Sequence, residues 1–257
     1  MKHFGLIGFP LGHSFSKQYF TEKFQRESIE ARYDLYPLTH IEAFNTLFQD
    51  KPLDGLNVTI PYKEQIIPFL HELDTTAAKI GAVNVVKFTI RKGEPYLIGY
   101  NTDVIGFVES IRPYISLLQE RIGGESSTKS PLKALVCGTG GAAKAIQYGL
   151  ERLGIKVQFV SRQKRENYLT YEELTPDILA THPILVNATP LGTYPQINEC
   201  VSINFDWITS QHLLFDAVYN PEETLFLQQG KKKGAITING LEMLHLQAQA
   251  AWTIWNQ

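Results

Sequence analysis

The stretch that most restricts what this chain can fold into is Leu135-Val136-Cys137 followed by Gly138-Thr139-Gly140-Gly141-Ala142-Ala143. An apolar run over 132–137 reads as a buried strand, and the residues after 142 carry helical spacing. Between them lies the spacing G-x-G-x-x-(G/A), which in a strand–turn–helix context is the dinucleotide fingerprint. Each small residue has a physical task there. Gly138 permits the tight turn, Gly140 lets backbone approach a pyrophosphate, and Ala143 allows helix and strand to pack closely. The helix start adds free N–H groups and partial positive charge. Thr139, Gly141 and Ala142 complete the candidate phosphate loop.

The next strand, over 156–160, runs into Ser161-Arg162-Gln163-Lys164-Arg165. A site for the unphosphorylated cofactor carries an acidic residue here for the ribose hydroxyls. Positive charge at this point suits a 2′-phosphate instead, and a guanidinium can also stack on adenine. Arg162, Lys164 and Arg165 are therefore candidates for NADP contact, although Lys164 and Arg165 fit a solvated basic loop equally well.

Around this unit, short apolar runs alternate with helical patterns, which predicts an α/β fold with mainly parallel strands. Strands are expected over 4–7, 33–38, 56–59, 83–90, 96–100, 184–187 and 213–219. Helices are expected from near Ser16, over 104–118 with Pro113 kinking or interrupting it, over 142–153, over 222–232, and over 241–255. Lys231, Lys232 and Lys233 suit a solvated helix C-terminus. The small, polar stretch 123–131 is the best linker candidate. A chain of 257 residues with 44% hydrophobic and 19% charged residues has the composition of a globular protein, and its net charge of −2 argues against a general nucleic-acid binder. Cys137 is expected as a small buried hydrophobe and Cys200 in a polar loop, with no disulfide framework or zinc spacing. Neither a signal peptide nor a membrane-spanning run is expected, so a cytoplasmic location is the default.

Three constellations resist a purely structural explanation. In His13-Ser14-Phe15-Ser16, two serines at i, i+2 in an extended segment point the same way, and with a helix start behind them can hold a carboxylate. A bland reading makes Ser16 an N-cap. In Leu56-Asn57-Val58-Thr59-Ile60-Pro61-Tyr62-Lys63, a strand delivers Lys63 at its C-terminal end, where open α/β sheets place ligands. A lone lysine is otherwise a solvated charge. Gly81-Ala82-Val83-Asn84 and Gly99-Tyr100-Asn101-Thr102-Asp103 bring an amide and a carboxylate to strand ends, although an Asn turn and an Asp helix cap would also explain them.

Taken in order, these segments resemble the shikimate dehydrogenase family. Its pattern G-x-P-x-x-H-S-x-S, N-V-T-x-P-x-K, G-A-V-N, N-T-D, G-x-G-G-x-x-x-A, N-A-T, D-x-x-Y and G-x-x-M-L-x-x-Q-A is matched at 8–16, 57–63, 81–84, 101–103, 138–145, 187–189, 216–219 and 240–248. The resemblance implies two α/β domains with a cleft between them. One is a discontinuous substrate domain (1–103 plus 237–257), the other a Rossmann-type NADP-binding domain (104–236). It implies NADPH-dependent reduction of 3-dehydroshikimate to shikimate, on the route to the aromatic amino acids. Carried over residue by residue, Ser14 and Ser16 would hold the substrate carboxylate. Thr59, Asn84, Asp103 and Gln247 would bond ring hydroxyls, and Tyr219 would complete the pocket. Lys63 and Asp103 would form the catalytic pair. The nucleotide would meet Gly138 to Ala143, Ser161 and Arg162, with Ala217 and Gly240 along the nicotinamide end and Thr189 and Met243 in the same region.

That assignment is chemically coherent. Hydride reaching the carbonyl carbon leaves negative charge on oxygen, which a protonated Lys63 can stabilise and protonate, with Asp103 as counter-charge. No metal is expected, since the hydride belongs to the nicotinamide. The expected partners are the small-molecule substrate and NADP, with no nucleic acid or membrane, in a monomer or homodimer. Two alternatives stand beside this reading: a quinate/shikimate dehydrogenase using NAD, and a catalytically silent ligand sensor on the same fold.

Overall fold

The computed structural model describes residues 1–12, 14–47, 52–123 and 131–257. His13 and residues 124–130 of the expected linker lie outside the described residues. The chain divides into two compact units, Met1–Thr102 with Ala248–Gln257, and Asp103–Gln247. Among the described residues no helix is long and apolar enough to cross a membrane.

The first unit is built on a six-stranded sheet. Its strands are β1 (Lys2–Gly8), β2 (Ala31–Pro37), β3 (Gly55–Val58), β4 (Glu72–Leu73), β5 (Val85–Arg91) and β6 (Glu94–Tyr100), in the order β2-β1-β3-β5-β6-β4. β1 pairs parallel with both β2 and β3, while β5 runs antiparallel to β3 and β6. Period-two alternation divides the strand residues between two faces. Phe4, Leu6 and Val85 pack with Phe20 and Phe24 of α1 (Phe15–Arg26), and with Ala248, Ala251 and Trp255 of the last helix. Ile7, Leu56, Val58 and Val86 face the other way, onto Phe44, Tyr62 and Ile66, and onto Ala77 of α2 (Thr75–Ile80). Gly55 is required by close approach. A Cβ there would lie 2.3 Å from the Trp255 indole nitrogen, which donates to the Val86 carbonyl at 3.1 Å. That contact fastens the C-terminal helix onto the N-terminal sheet.

The second unit carries β7 (Lys133–Cys137), β8 (Lys156–Ser161), β9 (Leu169–Thr170), β10 (Ile184–Asn187), β11 (Leu213–Asp216) and β12 (Ile236–Ile238), all parallel, in the order β12-β11-β10-β7-β8-β9. The chain proceeds outward from β7 through β8 and β9, then returns to β10 on the other side of β7. The strand order therefore reverses at β7, and such a switch point is where open α/β sheets hold ligands, outside the carboxyl ends. β10 and β11 are buried along their whole length, as strands covered on both faces must be. The helices are α3 (Asp103–Ile122), α4 (Gly141–Arg152), α5 (Pro176–Thr181), α6 (Leu225–Lys232) and α7 (Leu241–Trp255), the last ending in the first unit.

Several expectations are corrected. Pro113 does not end α3, which continues to Ile122. Its ring lies on an exposed side, where water can satisfy the carbonyl it leaves without a donor. β11 stops at Asp216 rather than 219, because the Asp216 carboxylate accepts the Val218 N–H at 3.0 Å and turns the chain out of the sheet. α6 begins at Leu225 rather than 222, with the Thr224 hydroxyl as N-cap. Cys200 lies in a loop as expected, but half-buried against the Leu174–Phe226 cluster, and burial pushes its thiol up to about 11. Cys137 is buried as expected, its thiol pushed up to about 12 by burial.

Candidate active site

In the first unit, strand direction gathers the candidate residues at one sheet edge. β1 and β3 are parallel, and β6 runs the same way because two antiparallel steps separate it from β3. Their carboxyl ends and the start of β5 therefore share an edge. Ser14 and Ser16 follow β1, Thr59 and Lys63 follow β3, Asn84 precedes β5, and Thr102 follows β6. Placement at the serines differs from the expectation of an extended pair. Ser14 is the N-cap of α1, its hydroxyl accepting from the Lys17 N–H at 3.3 Å, and Ser16 lies within the first helical turn. No acidic residue occupies that turn, so nothing in it repels an anion from this N-terminus.

A ladder of polar side chains fixes this edge. Ser16 is hydrogen-bonded to the Tyr33 hydroxyl, which donates to Asn57 Oδ1 at 2.7 Å. Asn57 Nδ2 donates to the Asn84 carbonyl at 3.3 Å. Asn84 Oδ1 accepts the Thr102 N–H at 2.7 Å, and its Nδ2 donates to the Thr102 hydroxyl at 2.9 Å. Tyr33, Asn57, Asn84 and Thr102 are all buried, where an unmade hydrogen bond costs more than a made one stabilises. Burial also holds the Tyr33 phenol well above its ordinary range. The half-buried Lys63 is tied by its backbone, its carbonyl accepting the Val83 N–H at 2.7 Å one residue before Asn84. Thr59 is anchored by its N–H to the Ile7 carbonyl at 2.9 Å.

Asp103, Tyr219 and Gln247 belong to the second unit. Asp103 is buried as the first residue of α3, directly after the clasped Thr102. Gln247 is buried on α7, its Nε2 donating to the Leu244 carbonyl at 2.9 Å, and Met243 is buried one turn earlier. Tyr219 is half-buried beyond β11, and burial raises its phenol. The two partners of the expected catalytic pair thus sit on different units.

The glycine turn fits a pyrophosphate. Gly138 has φ +116°, in the left-handed region, and a Cβ there would approach the Ala188 carbonyl to 2.9 Å. A Cβ on Gly140 would meet nothing within 4 Å, so the backbone faces open space. α4 starts with no side-chain cap and no acidic residue in its first turn, which leaves its N–H groups available to an anion. Ala143 is fully buried against the sheet, while Thr139, Gly141 and Ala142 form the rest of the turn and the helix start. At the end of β8, the Ser161 hydroxyl donates to the Gln163 carbonyl, and Arg162 and Arg165 are exposed. Lys164 is committed elsewhere. Its ammonium contacts both Glu173 carboxylate oxygens, at 2.6 and 2.8 Å, and this pairing lowers the Glu173 carboxyl from its ordinary value.

At the other end of the same sheet edge, Thr189 and Ala217 follow β10 and β11, and Gly240 follows β12. A Cβ on Gly240 would lie 2.3 Å from the Ala217 carbonyl oxygen, so these two backbones require glycine to approach as they do.

Comparison with known proteins agrees with this architecture. The family model described as the shikimate dehydrogenase substrate binding domain matches residues 6–86. A shikimate dehydrogenase (NADP(+)) of Desulforamulus reducens is 34% identical over 277 residues, covering 98% of this chain and 88% of the relative. The chain belongs to the shikimate dehydrogenase family. The crystal structure of the Aquifex aeolicus shikimate dehydrogenase matches with a TM-score of 0.82 at 32% identity, covering 99% of this chain and 92% of that one. The Thermus thermophilus enzyme, solved in complex with NADP(H) and shikimate, matches with a TM-score of 0.80 at 27% identity, covering 99% and 93%.

Within this shikimate dehydrogenase family member, residues without an assigned role in the sequence reading prove central to the site's construction. Tyr33 carried no signal beyond its place in a strand. Thr102 was visible only as the middle of N-T-D, and its clasp by Asn84 depends on β5 and β6 pairing. Asn187 and Asp216 lay in matched motifs, and their adjacency across β10 and β11 came from sheet register.

Proposed function

We propose that this chain reduces 3-dehydroshikimate to shikimate with NADPH, in the route to the aromatic amino acids. The observation that carries this reading is the convergence of Ser14, Ser16, Thr59, Lys63 and Asn84 on one sheet edge, within the segment matching the family's substrate-binding domain. In this proposal residues 1–103 with 237–257 form the substrate domain and 104–236 the NADP domain. Ser14 and Ser16, at the helix start, hold the substrate carboxylate. Thr59, Asn84, Asp103 and Gln247 orient the ring hydroxyls, and Tyr219 completes the pocket. Gly138 to Ala143, Ser161 and Arg162 hold the nucleotide, with Ala217 and Gly240 at the nicotinamide end.

Held by Gly138 to Ala143, Ser161 and Arg162, NADPH would supply the hydride for the reduction. The Lys63 ammonium stabilises the charge developing on the carbonyl oxygen and donates the proton that makes the alcohol. The Asp103 carboxylate serves as its counter-charge and as an acceptor for a ring hydroxyl. A cytoplasmic location and a monomeric or homodimeric state are part of the same proposal.

The test is NADPH absorbance during reduction of 3-dehydroshikimate, together with the reverse assay pairing shikimate or quinate with NADP⁺ or NAD⁺. The expected result is preference for shikimate with NADP⁺. Lys63→Ala, folded by circular dichroism, is expected to lower kcat about 10²- to 10⁴-fold, the usual range for loss of a general acid. Undiminished turnover in that variant rejects Lys63 as the acid. Tight shikimate binding with no turnover in the wild type favours the silent sensor instead.

A further inference from the structure

Asp216 is the most completely buried carboxylate among the described residues, and neither the proposed mechanism nor an ion pair uses it. It ends β11 directly across from Asn187, the last residue of β10. Its Oδ1 accepts from Asn187 Nδ2 and from the Val218 N–H, both at 3.0 Å. Its Oδ2 accepts from the Thr224 hydroxyl at 2.6 Å. Asn187 in turn accepts from the Thr189 N–H at 3.0 Å and the Thr189 hydroxyl at 2.6 Å, and donates to the Leu191 carbonyl at 3.2 Å. Thr224 also caps α6 by accepting from the Leu227 N–H at 3.4 Å. One carboxylate therefore fixes the loop after β10, the turn after β11 and the start of α6.

Those loops are where the sheet's carboxyl edge meets the proposed nicotinamide end. Ala217 lies between two restraints. Its N–H donates to the Asn187 carbonyl at 2.8 Å, and its own carbonyl abuts Gly240, whose N–H donates to the Val218 carbonyl at 3.1 Å. Burial raises the Asp216 carboxyl to about 7, whereas its three donors favour the charged form. Three hydrogen bonds converge on its two oxygens, so the side chain's position is fixed from three directions.

We propose that Asp216 is a positioning residue for the nicotinamide half of the cofactor: through Asn187, Val218 and Thr224 it sets Thr189 and Ala217 where the ring must lie. This rests on the proposed NADP site, and it predicts a split between the two halves of the nucleotide. The adenosine half is served by the ends of β7 and β8, which Asp216 does not touch with a side-chain bond.

The experiment compares wild type with Asp216→Asn, measuring calorimetric affinities for NADP⁺ and for 2′,5′-ADP alongside kcat. Weaker NADP⁺ binding is expected, with 2′,5′-ADP affinity held within about 2-fold and kcat down about 10- to 100-fold, the scale of a misplaced reacting group. Equal loss for both ligands overturns the proposal, since that is general loosening, and so does an unchanged NADP⁺ affinity and kcat. Where Asp216→Asn does not fold, Thr224→Val removes the bond to Oδ2 and Thr224→Ser retains it. The split must then appear in the valine variant and be absent from the serine variant, and the two behaving alike overturns the proposal. A wild type that binds NADP⁺ without turnover defeats the reaction proposed above, while the binding ratio still judges the role of Asp216.

Discussion

Cofactor choice at the end of β8 gives the sharpest test of how charge is allotted in this protein. Three cations, Arg162, Lys164 and Arg165, follow Ser161 within four residues. The structure makes them unequal, because Glu173 holds Lys164 with two contacts and simultaneously accepts the Thr170 N–H at 2.7 Å. Glu173 is thereby fixed as the closing member of a capping box, and Lys164 is drawn toward it. Arg162 directly follows Ser161 and is exposed. A charge-assisted hydrogen bond to a 2′-phosphate is worth about 1.5–3 kcal/mol, or about 10- to 100-fold in affinity. Arg162→Ala is therefore expected to raise the KM for NADP⁺ by that factor and leave the KM for NAD⁺ nearly unchanged. Lys164→Ala is expected to stay within about 5-fold, the scale of an exposed ion pair. Initial rates with shikimate and each cofactor, at low and high salt, give both ratios. An Arg162→Ala enzyme whose NADP⁺ KM stays within about 3-fold of wild type refutes the argument. A Lys164 variant as damaged as the Arg162 variant refutes the claim that Glu173 removes Lys164 from the site.

Two further outcomes concern stability. Trp255→Ala removes a side chain that is 5% exposed, stacks on Phe4 at 4.7 Å between centroids and donates to Val86, so a loss of about 3–5 kcal/mol is expected in urea unfolding. A loss under about 1 kcal/mol would show that the C-terminal helix is not integral to the first unit. His212 is buried, with Nδ1 accepting the Thr209 N–H at 3.0 Å and Nε2 set 3.2 Å from the Leu179 carbonyl, and burial lowers it below its ordinary 6.5. A lowered folded-state value means the neutral ring is favoured in the native protein. Its stabilisation is then present above about pH 6.5 and is lost as pH falls through the folded value. The urea midpoint should drop between pH 7.5 and 5, and His212→Gln should flatten that dependence. An identical slope in the variant would falsify the assignment to His212.

The sequence by itself determined the features that depend on neighbouring residues. The existence of buried strands near 132–137, at 184–187 and from 213 onward follows from apolar runs, although the end of the last at Asp216 does not, and the turn at Gly138 follows from a conformation few other residues tolerate. The family resemblance follows from ordered short motifs, each set by local backbone chemistry. Tertiary structure decided what depends on partners far along the chain. The two-residue strands β4 and β9 exist only because β6 and β8 offer them hydrogen bonds, and no periodicity can announce so short a segment. Ser14 rather than Ser16 became the cap of α1, with Ser16 turned to Tyr33, which approaches because β1 and β2 pair in register. The same reason hides Asp216. Its partners Asn187 and Thr224 are 29 and 8 residues away; parallel pairing of β10 with β11 brings Asn187 opposite it, and the turn after β11 brings back Thr224 at the start of α6. Hydrophobic spacing records which face of an element is buried, whereas a buried polar group's partners are recorded only where the folded chain brings them together.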